Sequence, residues 1–592
     1  MSDTHPQLVS AMMDPSFYPH PAADIKLIQT HISYIFLAGE LVYKVKKPVD
    51  FGFLNFTTLD LRRHYCLEEL RLNRRLAPDT YIAVHPIHET LSGDLILGEP
   101  LSAAPVSGAA SEAVGAAAGL AEATAKAAVG VAEAAEEVSV TETAELRPAV
   151  PSAIGSNATR VMDYALKMRR LPEERMLKHL LSMGRVGPET MDAIARKVAR
   201  FHREAETGGE VDQIGGVASI QHNNTENFIQ TKKYRNITIP KRMFSFIRAY
   251  DRDFFARHIS FLENRVRAGR VRDCHGDLHL EHICLAGGDD GITIFDCIEF
   301  NQRFRYSDVA CEVAFLYMDL DFNGYTDLAE DFVDAYVEAS GDKGVQELLS
   351  FFACYRAYVR GKVISFRLDD VAIVPEDREE ARRIAGRYFA LAYRYAARFE
   401  QPTMVLVGGL MGTGKSTLAA AIADPLGAEV VRTDVMRKQL ARIPEDMRCY
   451  DDFGSGLYSR DMTERTYAAS LDRSIAALRE GRSVIIDASW SRRADRERAV
   501  AVALNTGADV HFVECVCPED VVRARLDARM TQVGEASDGR WELFAAQRDA
   551  YEPVIADEGL RIIRIDCSQP PDDCAYEAVE RLRIPHSAVD GS

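Results

Sequence analysis

An apolar strand, Thr403-Met404-Val405-Leu406-Val407, runs directly into Gly409-Leu410-Met411-Gly412-Thr413-Gly414-Lys415-Ser416-Thr417, and helix-forming Leu418-Ala419-Ala420-Ala421 follows. Strand, glycine-rich turn and helix start, in that order and at that spacing, are the context a phosphate-binding loop requires. Glycines let the backbone turn tightly with its N–H groups facing the phosphates, and the helix N-terminus adds partial positive charge. The spacing places Lys415 at the β/γ-phosphates and the Ser416 hydroxyl on magnesium, so ATP and Mg2+ are the expected cofactors.

The segments around this loop share one architecture. Strands expected at 403–407, 429–433, 483–487, 510–516 and 561–566 alternate with helical stretches, which predicts a parallel α/β sheet. Ser483-Val484-Ile485-Ile486-Asp487 is an apolar strand ending in a carboxylate that would hold magnesium. Asp434 closes the second strand, positioned to take a proton from an incoming hydroxyl, and Arg437 lies one helical turn on, positioned to clamp an anionic acceptor. A helix cap with a surface arginine gives the same pattern. Arg523, Arg525 and Arg529 share a helical stretch after Cys517-Pro518, either as a lid over the transferring phosphate or as a solvated basic face.

The N-terminal half is organised differently. Residues 27–37 and 41–46 read as two strands turning at Gly39, and Lys44 and Lys46 alternate onto one face, expected to be exposed. A helical stretch follows over 57–76. Residues 102–157 are dominated by Ala, Gly, Glu, Ser and Val and contain no aromatic residue, which predicts a low-complexity insertion without a core of its own. From Val161 to about 400 the pattern is mainly helical, interrupted at 271–300. There, His275-Gly276-Asp277-Leu278-His279-Leu280-Glu281-His282 precedes Ile292-Thr293-Ile294-Phe295-Asp296. Phosphoryl transfer needs one carboxylate to position the acceptor hydroxyl and another to hold magnesium. A hairpin at 283–296 would bring Asp277 and Asp296 together. A zinc site of His275, His279, His282 and Cys284 is an alternative, opposed by Gly276, which breaks the helix such a set would need.

The C-terminal part resembles the small P-loop kinases, the group that includes gluconate kinase, polynucleotide 5′-kinase and zeta-toxin-type kinases. That resemblance implies Asp434 as catalytic base and Arg437 as acceptor-binding arginine. The N-terminal part resembles the aminoglycoside-phosphotransferase family, which shares the protein-kinase architecture. It implies Asp277 as base, Asp296 as metal-binding aspartate, Lys44 as phosphate-binding lysine, Glu69 rather than Glu68 as its partner, and 163–168 as the hinge beside adenine. Val42-Tyr43-Lys44-Val45-Lys46-Lys47-Pro48-Val49, Asn73-Arg74-Arg75-Leu76-Ala77-Pro78, Asp296-Cys297-Ile298-Glu299-Phe300-Asn301 and Asp308-Val309-Ala310 resemble a bacterial family that joins the two. His282 stands where the family usually has a magnesium-binding asparagine, and Thr30-His31-Ile32-Ser33 stands where kinases carry a glycine-rich loop.

The expected fold is therefore multidomain, α/β and α+β: an N-lobe over 1–101, the insertion over 102–157, a C-lobe over 158–400 and a P-loop kinase domain over 401–592. The expected activity is an ATP-dependent bifunctional phosphotransferase acting on a small-molecule or phosphorylated hydroxyl acceptor. Its rivals are an N-terminal pseudokinase that senses a small molecule and regulates the P-loop kinase, and a nucleotide-dependent switch without an acceptor. A net charge of −18 weighs against a nucleic-acid partner without excluding one. Eleven cysteines with no CxxC pair suggest a reducing compartment, and neither a signal peptide nor a membrane span is visible, so the expected location is cytoplasmic.

Overall fold

The computed structural model describes residues 6–52, 54–101, 160–288, 290–370, 373–444, 447, 454–530, 539–555 and 558–583. The insertion expected at 102–157 lies outside them. The chain forms two compact units, one of residues 1–220 with 260–346 and the other of 221–259 with 347–592.

The first unit is built on a six-stranded antiparallel sheet. Its strands are β1 (Lys26–Gln29), β2 (Ser33–Ala38), β3 (Leu41–Lys46), β4 (Tyr81–Glu89), β5 (Leu95–Leu97) and β6 (Arg160–Arg169), in spatial order β1-β2-β3-β6-β4-β5. Alternation sorts the side chains. Tyr34, Phe36, Tyr43, Val45, Ile87 and Ala165 build one core with Leu8 and Met12. Tyr81, Val84, Tyr164 and Leu166 build another with Cys66 and Leu70 of the helix Leu59–Asn73. Thr58 caps that helix by accepting the Leu61 N–H.

Lys44 stands opposite Leu166 in register, so the lysine face is the one covered by this helix. The expected exposure of Lys44 and Lys46 is corrected here: Lys46 is buried, because carboxylates on the covering elements compensate both charges. The hinge expected at 163–168 is likewise the body of β6, hydrogen-bonded to β3 on one side and β4 on the other. Asp163 is committed to Arg62, whose Nε donates to its carboxylate at 2.9 and 3.1 Å.

Short strands complete the unit. β7 (Val271–Asp273) pairs with β10 (Tyr306–Asp308), and β8 (Ile283–Cys284) pairs with β9 (Thr293–Ile294) as the expected hairpin. The helix Val309–Phe322 is buried at every position from Val309 to Asp321 and forms the unit's centre.

The second unit holds a five-stranded sheet, parallel throughout. Its strands are β11 (Thr403–Gly408), β12 (Ala428–Arg432), β13 (Ser483–Asp487), β14 (Asp509–Val516) and β15 (Arg561–Asp566), each within a residue or two of its expected place. The spatial order β12-β13-β11-β14-β15 puts later strands on both sides of β11. In open α/β sheets, ligands bind at the carboxyl end of such a switch point. Met404, Leu406, Val484, Ile486 and Phe512 pack on Tyr467, Leu471 and Trp490 to form the main core.

The sheet begins at Thr403, beside the boundary expected at 400, but the compact unit also takes in 221–259 and 347–400. Arg257 grips Glu400 at 2.7 and 2.9 Å, and Phe246, Tyr393 and Tyr576 form a chain of ring contacts. Among the described residues, no helix is long and apolar enough to cross a membrane.

Candidate active sites

In the second unit, β11 enters the glycine-rich turn through Gly409 at φ +133° and leaves it through Gly414 at φ +102°. Space as well as angle demands these residues. A Cβ on Gly409 would lie 2.5 Å from the Cys515 carbonyl oxygen, and one on Gly414 3.3 Å from Cys567 Cβ. The ends of β14 and β15 thus press the loop from behind. Gly409→Ala is expected to abolish nucleotide binding, because a side chain at this φ costs on the order of 1–3 kcal/mol and its Cβ would force the loop away from the Cys515 carbonyl. Calorimetric titration with a non-hydrolysable ATP analogue tests this; native affinity in the variant would contradict it.

Lys415, first residue of the helix Lys415–Leu426, folds back to donate to the Leu410 carbonyl at 2.8 Å. Met411 N–H donates to Gln547 Oε1 at 2.7 Å, a brace from the helix Trp541–Asp549 that sequence reading missed. Asp487 ends β13 opposite Val407 and is 6% exposed. Burial raises its pKa above the usual carboxylate value, while Lys415 and a hydrogen bond from Ser416 oppose the rise. Ser416 and Asp487 are therefore adjacent oxygen donors beside the loop, a set that suits magnesium. Thr417, the next residue of the helix, is exposed.

Asp434 lies in the first turn of the helix Thr433–Ala441, close enough to Asp487 to raise its pKa. Arg437, one turn on, is not at the surface: it is 6% exposed. Its Nη1 donates to the Leu457 carbonyl at 3.0 Å and to Thr463 Oγ1 at 3.1 Å, and its guanidinium stands 4.8 Å from the Tyr458 ring. The three later arginines separate. Arg525 reaches the loop region, donating to the Cys567 carbonyl at 2.7 Å and the Thr413 carbonyl at 3.5 Å. Arg529 follows one turn along the helix Glu519–Met530 and is half-buried, whereas Arg523 is exposed and lies over Trp541.

In the first unit, the second cluster assembles around Lys44. Its Nζ is 2.8 Å from Glu69 Oε1 and 2.9 Å from Asp296 Oδ1. Glu68 instead pairs with Arg71 at the surface. Sequence reading missed the neighbouring pair: Lys46 holds Glu69 Oε2 at 2.6 Å and also bonds Glu299. Burial would lower the Lys44 pKa, but Asp296, Glu69 and Glu299 hold it well above the normal lysine value. Burial likewise opposes the charge on Asp296, but Lys44 and His282 keep its carboxyl well below the usual range. Asp296 adopts φ +63°, and its N–H donates to the Tyr81 hydroxyl at 3.1 Å.

Asp277 sits on the loop anchored by Glu312, another residue missed in the sequence. Glu312 accepts the His275 N–H at 3.0 Å and the Gly276 N–H at 2.5 Å, and meets His202 Nε2 at 2.8 Å. Burial pushes the His275 pKa down to about 4, which keeps the ring neutral as its Nε2–H donates to the Phe295 carbonyl at 3.0 Å. His279 Nε2 lies 3.5 Å and His282 Nδ1 3.4 Å from Asp277 Oδ2. On its other side, His282 Nε2 is 3.6 Å from Asp296 Oδ2. The β8–β9 hairpin thus brings Asp277 and Asp296 to opposite sides of one imidazole. The set His275, His279, His282 and Cys284 does not assemble: the Cys284 thiol turns to the Pro172 carbonyl, and Asp277, His279 and His282 gather instead.

Over 89% of its length the chain is 28% identical to uncharacterised proteins of Mycobacterium tuberculosis and Mycobacterium bovis, of which it covers 91%. Among solved structures it is similar to a gluconokinase from Sinorhizobium meliloti 1021, at 22% identity and a TM-score of 0.23 over 31% of this chain and 94% of that one. It is also similar to aminoglycoside 2′-phosphotransferase-IIIa in its GDP complex, at 11% identity and a TM-score of 0.36 over 65% of this chain and 99% of that one. Residues 404–554, from β11 to beyond the brace at Gln547, match the family described as AAA domain, and the C-terminal part of the chain is a P-loop domain of that kind.

Proposed function

We propose that this protein is an ATP-dependent phosphotransferase with a phosphoryl-transfer site in each unit. The observation that carries the reading is the grouping of Lys415, Ser416, Asp487 and Asp434 at the carboxyl edge of one parallel sheet. When bound, magnesium neutralises developing phosphate charge, and Ser416 and Asp487 are the residues that would hold it. Lys415 exchanges the Leu410 carbonyl for the phosphates. Asp434 orients an acceptor hydroxyl and takes its proton, while Arg525, behind the loop at Thr413, adds positive charge beside it and Arg529 follows one turn along the same helix. Arg437 Nε is buried with no hydrogen-bond partner among the described residues, which favours an anionic acceptor.

In the first unit, Lys44 would contact the nucleotide phosphates with Glu69 fixing its position, Asp277 would accept the acceptor's proton, and Asp296 would ligate the metal. A second reading, in which this unit senses a small molecule and regulates the other, draws on His282 at the metal-binding position. The test uses Lys415→Ala as background to silence the other site. There, Asp277→Asn is expected to lower phosphoryl transfer about 10²–10⁴-fold with ATP binding retained. Asp296→Asn is expected to weaken the metal-dependent part of binding as well. If neither variant changes transfer to a panel of sugar, aminoglycoside and nucleotide acceptors, the sensor reading replaces the catalytic one.

A further inference from the structure

Magnesium is a poor match for the first unit's metal position. It prefers oxygen donors in near-octahedral array, and His282 offers nitrogen. His282 Nδ1 lies 2.9 Å from the Asp277 carbonyl oxygen. A carbonyl can only accept, so Nδ1 carries a proton and is committed to that bond, which leaves Nε2 as the ring nitrogen that can reach a metal. That Nε2 faces Asp296 Oδ2 at 3.6 Å. The other Asp296 oxygen is already engaged by Lys44 at 2.9 Å. A cation between Nε2 and Oδ2 would serve both atoms at once.

The spacing narrows the choice of cation. With bonds of about 2.1 Å, adjacent ligands lie roughly 3.4 Å apart around a tetrahedral ion, whereas octahedral magnesium brings them to about 3.0 Å. The 3.6 Å separation is nearer the wider value, and the nitrogen donor is what discriminates between the ions. Next to this pair, one ligand atom each from Asp277, His279 and His282 falls within 4.8 Å of the others, and the two imidazole centroids are 4.0 Å apart. His282 belongs to both groupings, with Asp277 beside its Nδ1 and Asp296 beside its Nε2.

We propose that this position selects a borderline divalent transition-metal ion of the zinc and cobalt class over magnesium, with His282 Nε2 and Asp296 Oδ2 as ligands. Imidazole sets suit these ions, and the hydrogen bond from Nδ1–H to the Asp277 carbonyl fixes the tautomer and ring orientation that ligation needs. The proposal refines the metal requirement of the site assigned above and rests on that location, but its test does not depend on transfer.

The experiment titrates the untagged full chain carrying Lys415→Ala with Co2+ and follows visible absorption. One equivalent is expected to give ligand-field bands of a low-coordinate site, displaced by Zn2+ but persisting under about a hundredfold excess of Mg2+. His282→Asn, which supplies an amide oxygen, is expected to weaken Co2+ binding roughly tenfold or more and to let Mg2+ compete. Displacement of Co2+ from the native chain by Mg2+ would overturn the proposal without any variant. So would unchanged Co2+ affinity in a His282→Asn protein with native circular dichroism. Co2+ binding as expected in a chain that transfers no phosphate would leave the metal site standing and remove the catalytic reading of the first unit.

Discussion

Replacing Lys415 by alanine is expected to cut ATP turnover at the C-terminal site by roughly 10²–10³-fold, the usual cost of removing one preorganised charge from a developing anion. The geometry explains why no neighbour substitutes. Arg525 reaches the back of the loop but spends its guanidinium on the carbonyls of Thr413 and Cys567 and on the Cys517 sulfur. Arg437 is tied to Leu457 and Thr463 one turn beyond Asp434. Lys415, by contrast, is held in the native fold mainly by a single carbonyl, that of Leu410, so its loss leaves the fold of the loop intact. The variant should keep its melting temperature while losing affinity for the ATP analogue and turnover together. Turnover within a factor of two of native, measured with the first unit's Asp277 also replaced, would refute the assignment of this loop.

The largest stability effect is expected from Glu312. Its carboxylate receives two backbone N–H groups from the loop that carries Asp277 and pairs with His202, which in turn meets the Tyr336 hydroxyl at 2.8 Å. All of this is buried. Glu312→Ala would strand those donors, at a cost of about 3–5 kcal/mol. The pH dependence follows from the same contacts. Burial disfavours the charge, but hydrogen bonds from His202 and the loop amides outweigh it and lower the Glu312 pKa from 4.5 to about 2. A carboxylate lowered in the folded state contributes stability that is complete above its unfolded value, so this contribution is lost as pH falls from about 4.5 to about 2. His275, lowered from 6.5 to about 4 by burial, acts in the same direction in the window between those values, since the unfolded chain binds its proton first. Glu312→Ala should unfold in less urea at neutral pH, lose the acid-dependent limb below pH 4.5, and exchange the His275 and Gly276 amides faster. Native exchange at those amides would show that something else holds the loop.

Much of the local architecture was legible in the chain because it is contiguous. A phosphate loop is a contiguous run whose strand, glycines and helix start are all adjacent in sequence, and parallel strands buried on both faces announce themselves as apolar runs such as Val484-Ile485-Ile486. His275-Gly276-Asp277 and Asp296 were readable for the same reason: a two-strand hairpin is enough to join them. Long-range partnerships carry no such signature. Nothing near Lys46 in sequence signals Glu299, and nothing near Asp277 signals Glu312 as its loop's anchor. A buried charge looks like a surface charge until its compensating partner arrives from elsewhere in the fold, which is why the lysine face of β3 was expected in solvent. The same holds for Arg437, whose burial depends on Leu457, Tyr458 and Thr463. Sequence by itself determined the parallel sheet, its phosphate loop and the pair of carboxylates on the hairpin, because neighbouring residues suffice to encode them. Tertiary structure alone decided which charges are buried and paired, how His282 comes to stand between two aspartates, and that 221–259 and 347–400 pack with the parallel sheet, because each depends on contacts between residues far apart in the chain.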